Sequence, residues 1–396
     1  MRETETIAVN HPQDVLPSPP SLDTEPPAPV ARSSPTRLAF RTMAIIFLLF
    51  ITVGATTQIL NTAAGIWFTE LFVFLGVAWV RVRLSGRDPA RYAGLTSPHW
   101  RSAAYGFAFG VVNFFALVIP IQSLALSIAP ASWREHWDVT NLFRNQTPLE
   151  LGVIILGVVV AAPFCEEFVF RGVLQRGLMP PALSSRGAVA LTAIVFSAFH
   201  LDPVGFPARL ELGLVFGLLY LRTGSLWPGM LAHAANNLVS TVLYFGFNGT
   251  PPAEDAPPSW SAILSVSLLG MIALLGLIAL VRRDPSILPG HPPIGPETES
   301  RPVSLRLAAR PWIIAALSMV LFLALADGRG LVLGWYDLSY HLPPLGKSAN
   351  ERQKVERDRL DALRKDARAG KVPLEWYRAL REELSRESRR SEGDSG

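Results

Sequence analysis

Charge is what this sequence has least of. Only 17% of its 396 residues are Asp, Glu, Lys or Arg, against roughly 25% in ordinary soluble domains. With 49% hydrophobic residues and a mean hydropathy of +0.30, a soluble globule is excluded and a polytopic membrane protein is indicated. Cysteine is nearly absent too. The single Cys165 excludes an intramolecular disulfide framework and leaves the redox compartment open. No apolar stretch directly follows the first Met, so no cleaved signal peptide is expected, and no internal repeat is evident. Familiar hydrolytic signatures are missing as well: there is no Gly-x-Ser-x-Gly, no serine and lysine placed as an intramembrane dyad, and no His-Glu-x-x-His zinc helix. The net charge of +4 calls for no nucleic acid, because Arg-rich cytoplasmic loops produce the same balance.

What is present is a series of apolar runs. They lie at about 43–60, 63–80, 103–127, 149–178, 187–201, 210–221, 226–245 and 262–281, with a marginal ninth at 311–326. The expected fold is therefore an all-α, polytopic transmembrane helical bundle of about eight spans. Residues 1–36, rich in Pro, Ser and acidic side chains, read as a disordered tail. Residues 37–283 read as the core, 284–346 as a linker holding the marginal segment, and 347–396 as a charged helical tail. In that tail Gly370 and Pro373 separate two helices, the second with Leu374, Tyr377, Leu380 and Leu384 on one face; a solvated or membrane-surface helix is expected there. With the N-terminus inside, the connections holding Arg81 to Arg101, Arg176 and Arg186, Arg222, and Arg282-Arg283 all fall on the cytoplasmic side. That distribution follows the positive-inside rule and places the chain in a cell membrane, with a bacterial inner membrane expected.

Three polar interruptions stand out. Glu166-Glu167 and Arg171 occupy the fourth run, Phe196 and His200 end the fifth, and His233 and Asn237 lie inside the seventh. Charges inside a membrane segment are costly and usually face a cavity and carry function. The fifth and sixth runs fall short of the ~20 residues that cross a bilayer, which is tolerated where protein or a watery cavity surrounds them. Counting ~1.5 Å per residue from Arg176, Arg186 and Arg222 puts Glu166, His200 and His233 at a similar depth, roughly 15–21 Å from the cytoplasmic rim. Glu167 precedes Arg171 by four residues, the favourable orientation for an ion pair, which leaves Glu166 without a counter-ion. Taken singly, each has a bland alternative: a structural salt bridge, or a satisfied core histidine. Together they suggest activated water, with a carboxylate as base, a histidine holding the water, and His and Asn donors for an oxyanion. A metal site with Glu166, His200 and His233 as ligands, a proton relay in a transporter, and a non-catalytic scaffold or immunity protein remain open at this point.

The three patterns Glu-Glu-x-x-x-Arg, Phe-x-x-x-His and His-x-x-x-Asn, in that order on successive helices, resemble the CPBP family, the CAAX prenyl protease 2 and bacteriocin-processing (Abi-type) intramembrane proteases. The resemblance covers roughly residues 45–245. It implies a glutamate protease in which Glu166 and His200 activate water and His233 and Asn237 form the oxyanion hole, with Glu167, Arg171 and Phe196 in support. It implies no cofactor, a divalent metal such as zinc being left open. The implied partners are the bilayer and a membrane-associated protein or peptide substrate.

Overall fold

A computed structural model describes residues 34–95, 99–130, 133–134, 137–144, 146–180, 182–246, 259–288, 305–342 and 351–393. The tail expected over 1–36 lies almost wholly outside the described residues. The described elements are helical: α1 (Pro35–Leu60), α2 (Thr62–Leu84), α3 (Trp100–Ile128), α4 (Pro148–Leu178) and α5 (Ser185–Phe199). They continue with α6 (Phe206–Thr223), α7 (Trp227–Gly246), α8 (Trp260–Arg283), α9 (Leu305–Ser339), α10 (Glu351–Arg368) and α11 (Leu374–Gly393). Among the described residues five helices, α1 to α4 and α8, are long and apolar enough to cross a membrane. The protein is a polytopic helical bundle.

Local chemistry sets the helix ends. Asn61 is extended, and its side chain accepts from the Ala64 amide, so α1 and α2 turn back on each other over one residue. Thr147 and Glu150 form a reciprocal capping box ahead of Pro148, fixing the start of α4. Ser184 caps α5, and Gly224, at φ 65°, closes α6. The sixth helix begins earlier than its apolar run predicts, at Phe206 rather than Leu210, because Pro207 suits a first helical turn despite the polar residues that follow. The added turn brings Arg209 into the bundle.

α4 is the hub. Some 56% of its apolar window is buried, against 17% for α3 and for α8. It packs on α1, where Gly177 lies against Ala39 and the Pro35 carbonyl, and on α2, α5, α6 and α7. Its backbone widens by one residue per turn over Gly157–Ala161 and again over Phe168–Gln175, so the glutamate pair sits between two π-helical stretches. Such insertions re-aim side chains and recur at functional sites. One apolar core joins α1, α2, α4 and α5 around Phe168, Phe170, Phe196 and Phe199. A second joins α3, α6 and α7 around Tyr105, Phe114 and Phe216. α3 and α7 meet without intervening side chains: a Cβ on Gly106 or Gly110 would lie 2.3 Å from the Pro228 carbonyl or 2.2 Å from that of Ala232.

The run at 311–326 lies inside one long helix, α9, which holds Pro311 and packs along α1, with Trp312 stacked on Phe47 at 4.9 Å. The expectation of a solvated or membrane-surface α11 needs correction. Tyr377 is fully buried, and Leu374, Leu380 and Leu384 pack with Leu333 of α9 and Leu360 of α10. Asp337 of α9 ties this small lobe together by bonding Arg364 and Arg381. The apolar face therefore finds its partner within the chain.

Candidate active site

α4, α5, α6 and α7 bring Glu166, Glu167, Arg171, Phe196 and His233 to one buried place, with Asn237 half-buried and His200 at the exposed end of α5 against Phe196. Glu167 and Arg171, one helical turn apart, form an ion pair of 2.6 Å with side chains 1% and 0% exposed. Arg171 also donates to the Gly213 carbonyl of α6 at 3.0 Å. The rings of Phe196 and Phe216 flank its guanidinium at 4.6 and 5.2 Å. Each ring belongs to a different apolar core, so the cation joins the two cores as well as holding its carboxylate. A charge buried this completely is tolerable only with such partners.

His233 stands between the two glutamates. Its Nδ1 is 3.2 Å from Glu167 Oε1, and its Nε2 is 3.9 Å from Glu166 Oε2. A carboxylate can only accept, so Nδ1 carries the hydrogen that bonds Glu167, and Nε2 is turned to Glu166. Phe216 stacks on the imidazole at 4.9 Å and 21°. Glu167 thus orients His233 while pairing with Arg171. His200 is fixed in a comparable way: its Nδ1–H donates to the Phe196 carbonyl at 2.9 Å, which leaves Nε2 uncommitted by that bond. Phe196 touches both imidazoles, at 5.1 Å from His200 and 5.8 Å from His233 between ring centres. Among the described residues, Oε2 of Glu166 is buried and accepts no hydrogen bond.

Of the two asparagines, one bonds a neighbouring helix. Asn237 does so, donating one N–H to the Val158 carbonyl of α4 at 2.8 Å, while Asn236 donates to Asn237 Oδ1 at 3.1 Å. The first widened turn of α4 contains Val158, so the π-helical backbone presents the carbonyl that holds Asn237. The second Asn237 N–H is uncommitted by this bond.

Beyond His200 the chain passes through Leu201 at φ 52°, a left-handed conformation that costs a branched residue roughly 1–2 kcal/mol. Trp137 donates to the Leu201 carbonyl at 2.8 Å. Asp202 accepts from Val204 and Gly205 and pairs with Arg209 at 2.6 Å. The turn after His200 is thus held from three sides. Beside it lies an apolar cavity of about 260 Å³ lined by Phe47, Phe50, Ile194, Phe199, Leu201 and Trp312. Among the described residues, no group of three or more His, Cys, Asp or Glu side chains is placed to hold a metal ion. Cys165 is a buried free thiol.

Sequence reading passed over Glu70, Arg209 and Phe216. A lone carboxylate, an arginine just ahead of an apolar run and one phenylalanine among 21 have no spacing that marks them. Only their helices' packing brings them to the site.

Residues 148–239 match the family model described as type II CAAX prenyl endopeptidase Rce1-like. That interval contains the whole Glu-Glu, Phe-His and His-Asn constellation. The chain is also similar to the uncharacterized protein YyaK of Bacillus subtilis (strain 168), at 27% identity over 181 residues, 42% of this chain. It spans only 56% of that relative's length. No solved structure matches the chain. Within a multi-pass helical membrane protein, residues 148–239 are therefore the part of the chain that is similar to the type II CAAX prenyl endopeptidase Rce1-like family.

Proposed function

We propose that the protein is an intramembrane endopeptidase. In this reading Glu166 and His200 activate water, His233 and Asn237 receive the oxyanion, and Glu167, Arg171 and Phe196 hold these groups in place. The supporting observation is the relay Arg171–Glu167–His233, which ends with His233 Nε2 3.9 Å from a buried, uncommitted oxygen of Glu166. A purely structural ion pair needs no imidazole turned toward a second carboxylate. In hydrolysis Glu166 takes a proton from water, the resulting hydroxide adds to the scissile carbonyl, and the oxyanion is met by the second Asn237 N–H and by a hydrogen on His233 Nε2, the Nδ1–H being held by Glu167. As the C–N bond breaks, the proton passes from Glu166 to the departing amine.

The substrate proposed is a membrane-associated protein or peptide, of the prenylated C-terminal kind named in the family description. The cavity beside His200 suits the hydrocarbon part of such a molecule. The host membrane proposed is a bacterial inner membrane, with the N-terminus cytoplasmic.

The test uses purified protein in liposomes with a fluorogenic peptide carrying a farnesylated cysteine near its C-terminus. Glu166→Gln keeps side-chain volume and should abolish cleavage without loss of protein. Asn237→Ala should slow turnover by roughly 10²–10³-fold with less effect on binding. Peptide-mass comparison of membranes holding wild type or Glu166→Gln extends the test to native substrates. Cleavage by Glu166→Gln at the wild-type rate would falsify this assignment, and no Glu166-dependent product with either approach would favour a non-catalytic scaffold.

A further inference from the structure

Glu70 is the sole acidic residue of α2, and its side chain is buried. Among the described residues no Lys or Arg pairs with it, and its Oε2 is buried without a hydrogen-bond partner. A carboxylate in that position is costly and has no structural partner to account for it. Its location is informative. α2 packs on α4 with Phe74 edge-on to Phe170, 6.2 Å between ring centres. The helices run the same way, each from its capped end towards the arginines at its other end. One turn back from Phe74 is Glu70, and one turn back from Phe170 is Glu166. Counting ~1.5 Å per residue, Glu70 lies about 16 Å from Arg81 and Glu166 about 15 Å from Arg176, so the two carboxylates share a depth.

We infer that Glu70 is a positioning residue of the hydrolytic centre, opposed to Glu166 across the α2–α4 contact and governing how Glu166 holds its proton. This rests on the protease reading above. Two apposed buried carboxylates do not ionise independently; they titrate as a pair. Cys165 and Glu166 of α4 interact electrostatically with Glu70, and the adjoining α1 turn, Phe50–Gly54, brings no charged side chain. Glu166 is in turn faced by Glu167 and Arg171 on its own helix, by His233 from α7, and by the field of Arg209 from α6. Glu70 starts and finishes each turnover in the same state, because the proton Glu166 takes from water leaves with the amine.

The experiment compares wild type, Glu70→Gln, Glu70→Asp and Glu166→Gln in liposomes. With the farnesylated peptide, Glu70→Gln should keep its KM, and the acid limb of its pH–rate profile should be displaced from the wild-type position. Glu70→Asp should restore most of the wild-type profile. Infrared titration of the carboxyl bands provides a readout without substrate. Wild type should show two coupled steps, and each single Gln variant one step displaced from both. If Glu166→Gln is inert while Glu70→Gln keeps the wild-type acid limb, Glu70 has no such role although the protease reading survives. If no variant alters cleavage, the protease reading fails, and the infrared steps alone decide whether the two carboxylates are coupled. Should Glu70→Gln fail to reach the membrane, the Glu70 step in Glu166→Gln reads the same coupling; an undisplaced step there overturns it.

Discussion

Arg171 shows how one side chain holds a fold and a site together. Its donors reach Glu167 and the Gly213 carbonyl, and its faces meet Phe196 and Phe216. Arg171→Ala leaves Glu167 buried without its cation, so a loss of about 3–5 kcal/mol is expected, seen as a lower melting temperature in detergent. Arg171→Lys should fall well short of rescue, because an ammonium cannot bond two partners in a plane while stacking between two rings. Wild-type thermal stability of the alanine variant would remove this role. The pairing was legible in the sequence, since four residues separate a Glu from a following Arg. The two rings were not equally so. Phe196 belongs to a local four-residue pattern with His200, whereas Phe216 reaches His233 only through the packing of α6 against α7, which no local spacing encodes.

At the scale of the helix, α3 and α7 meet at a seam with no side chains between their backbones. Gly110 places its Cα against the Ala232 backbone, immediately before His233. Gly110→Val must push α7 away, costing at least the ~1–3 kcal/mol typical of overpacking. It should lower activity more than stability, because His233 moves with Ala232; equal losses of both would argue against that coupling. The apolar runs located nearly every helix, but the start of α6 was misread. The apolar run stops at Leu210, just after Arg209, whereas the backbone continues helical to Phe206. The charged tail was misread in the same way: an apolar stripe of Leu374, Tyr377, Leu380 and Leu384 specifies burial without naming what covers it. There the Tyr377 hydroxyl donates to Asp337, and burial first, then that bond, push its pKa up to about 12. A phenol raised from the usual ~10 stabilises the lobe fully below pH ~10 and loses that contribution as the pH rises through 12. Alkaline melting followed by circular dichroism should therefore show α10–α11 weakening over that window, and Tyr377→Phe should remove the dependence.

For the whole molecule, the arginine distribution predicts a cytoplasmic N-terminus and a cytoplasmic end of α8. A reporter fused after Arg283 should read as internal, and an external signal would overturn the eight-span order. A second reporter after Gly396 tells whether α9 crosses. Charge bias gives the side on which a loop lies, but not whether a helix such as α9, which packs along α1 over part of its length, also spans the bilayer. The three motifs could be read from the sequence; their convergence required the α4 hub and its widened turns.

The enclosure of the site has a consequence for the conformation of whatever is cut. Glu166 and His233 are only 8% and 5% exposed, and Phe196 and Phe216 wall the His233 ring. An α-helix with its side chains is roughly 10–12 Å across and hides every peptide group in its own hydrogen bonds. It cannot bring a carbonyl to Glu166 intact, whereas a single unwound strand can. Strand-like or frayed termini should be cut in preference to stable helices. A Gly-Pro pair placed beside the scissile bond of a helical membrane peptide should accelerate cleavage, and the same pair placed a few turns away should not.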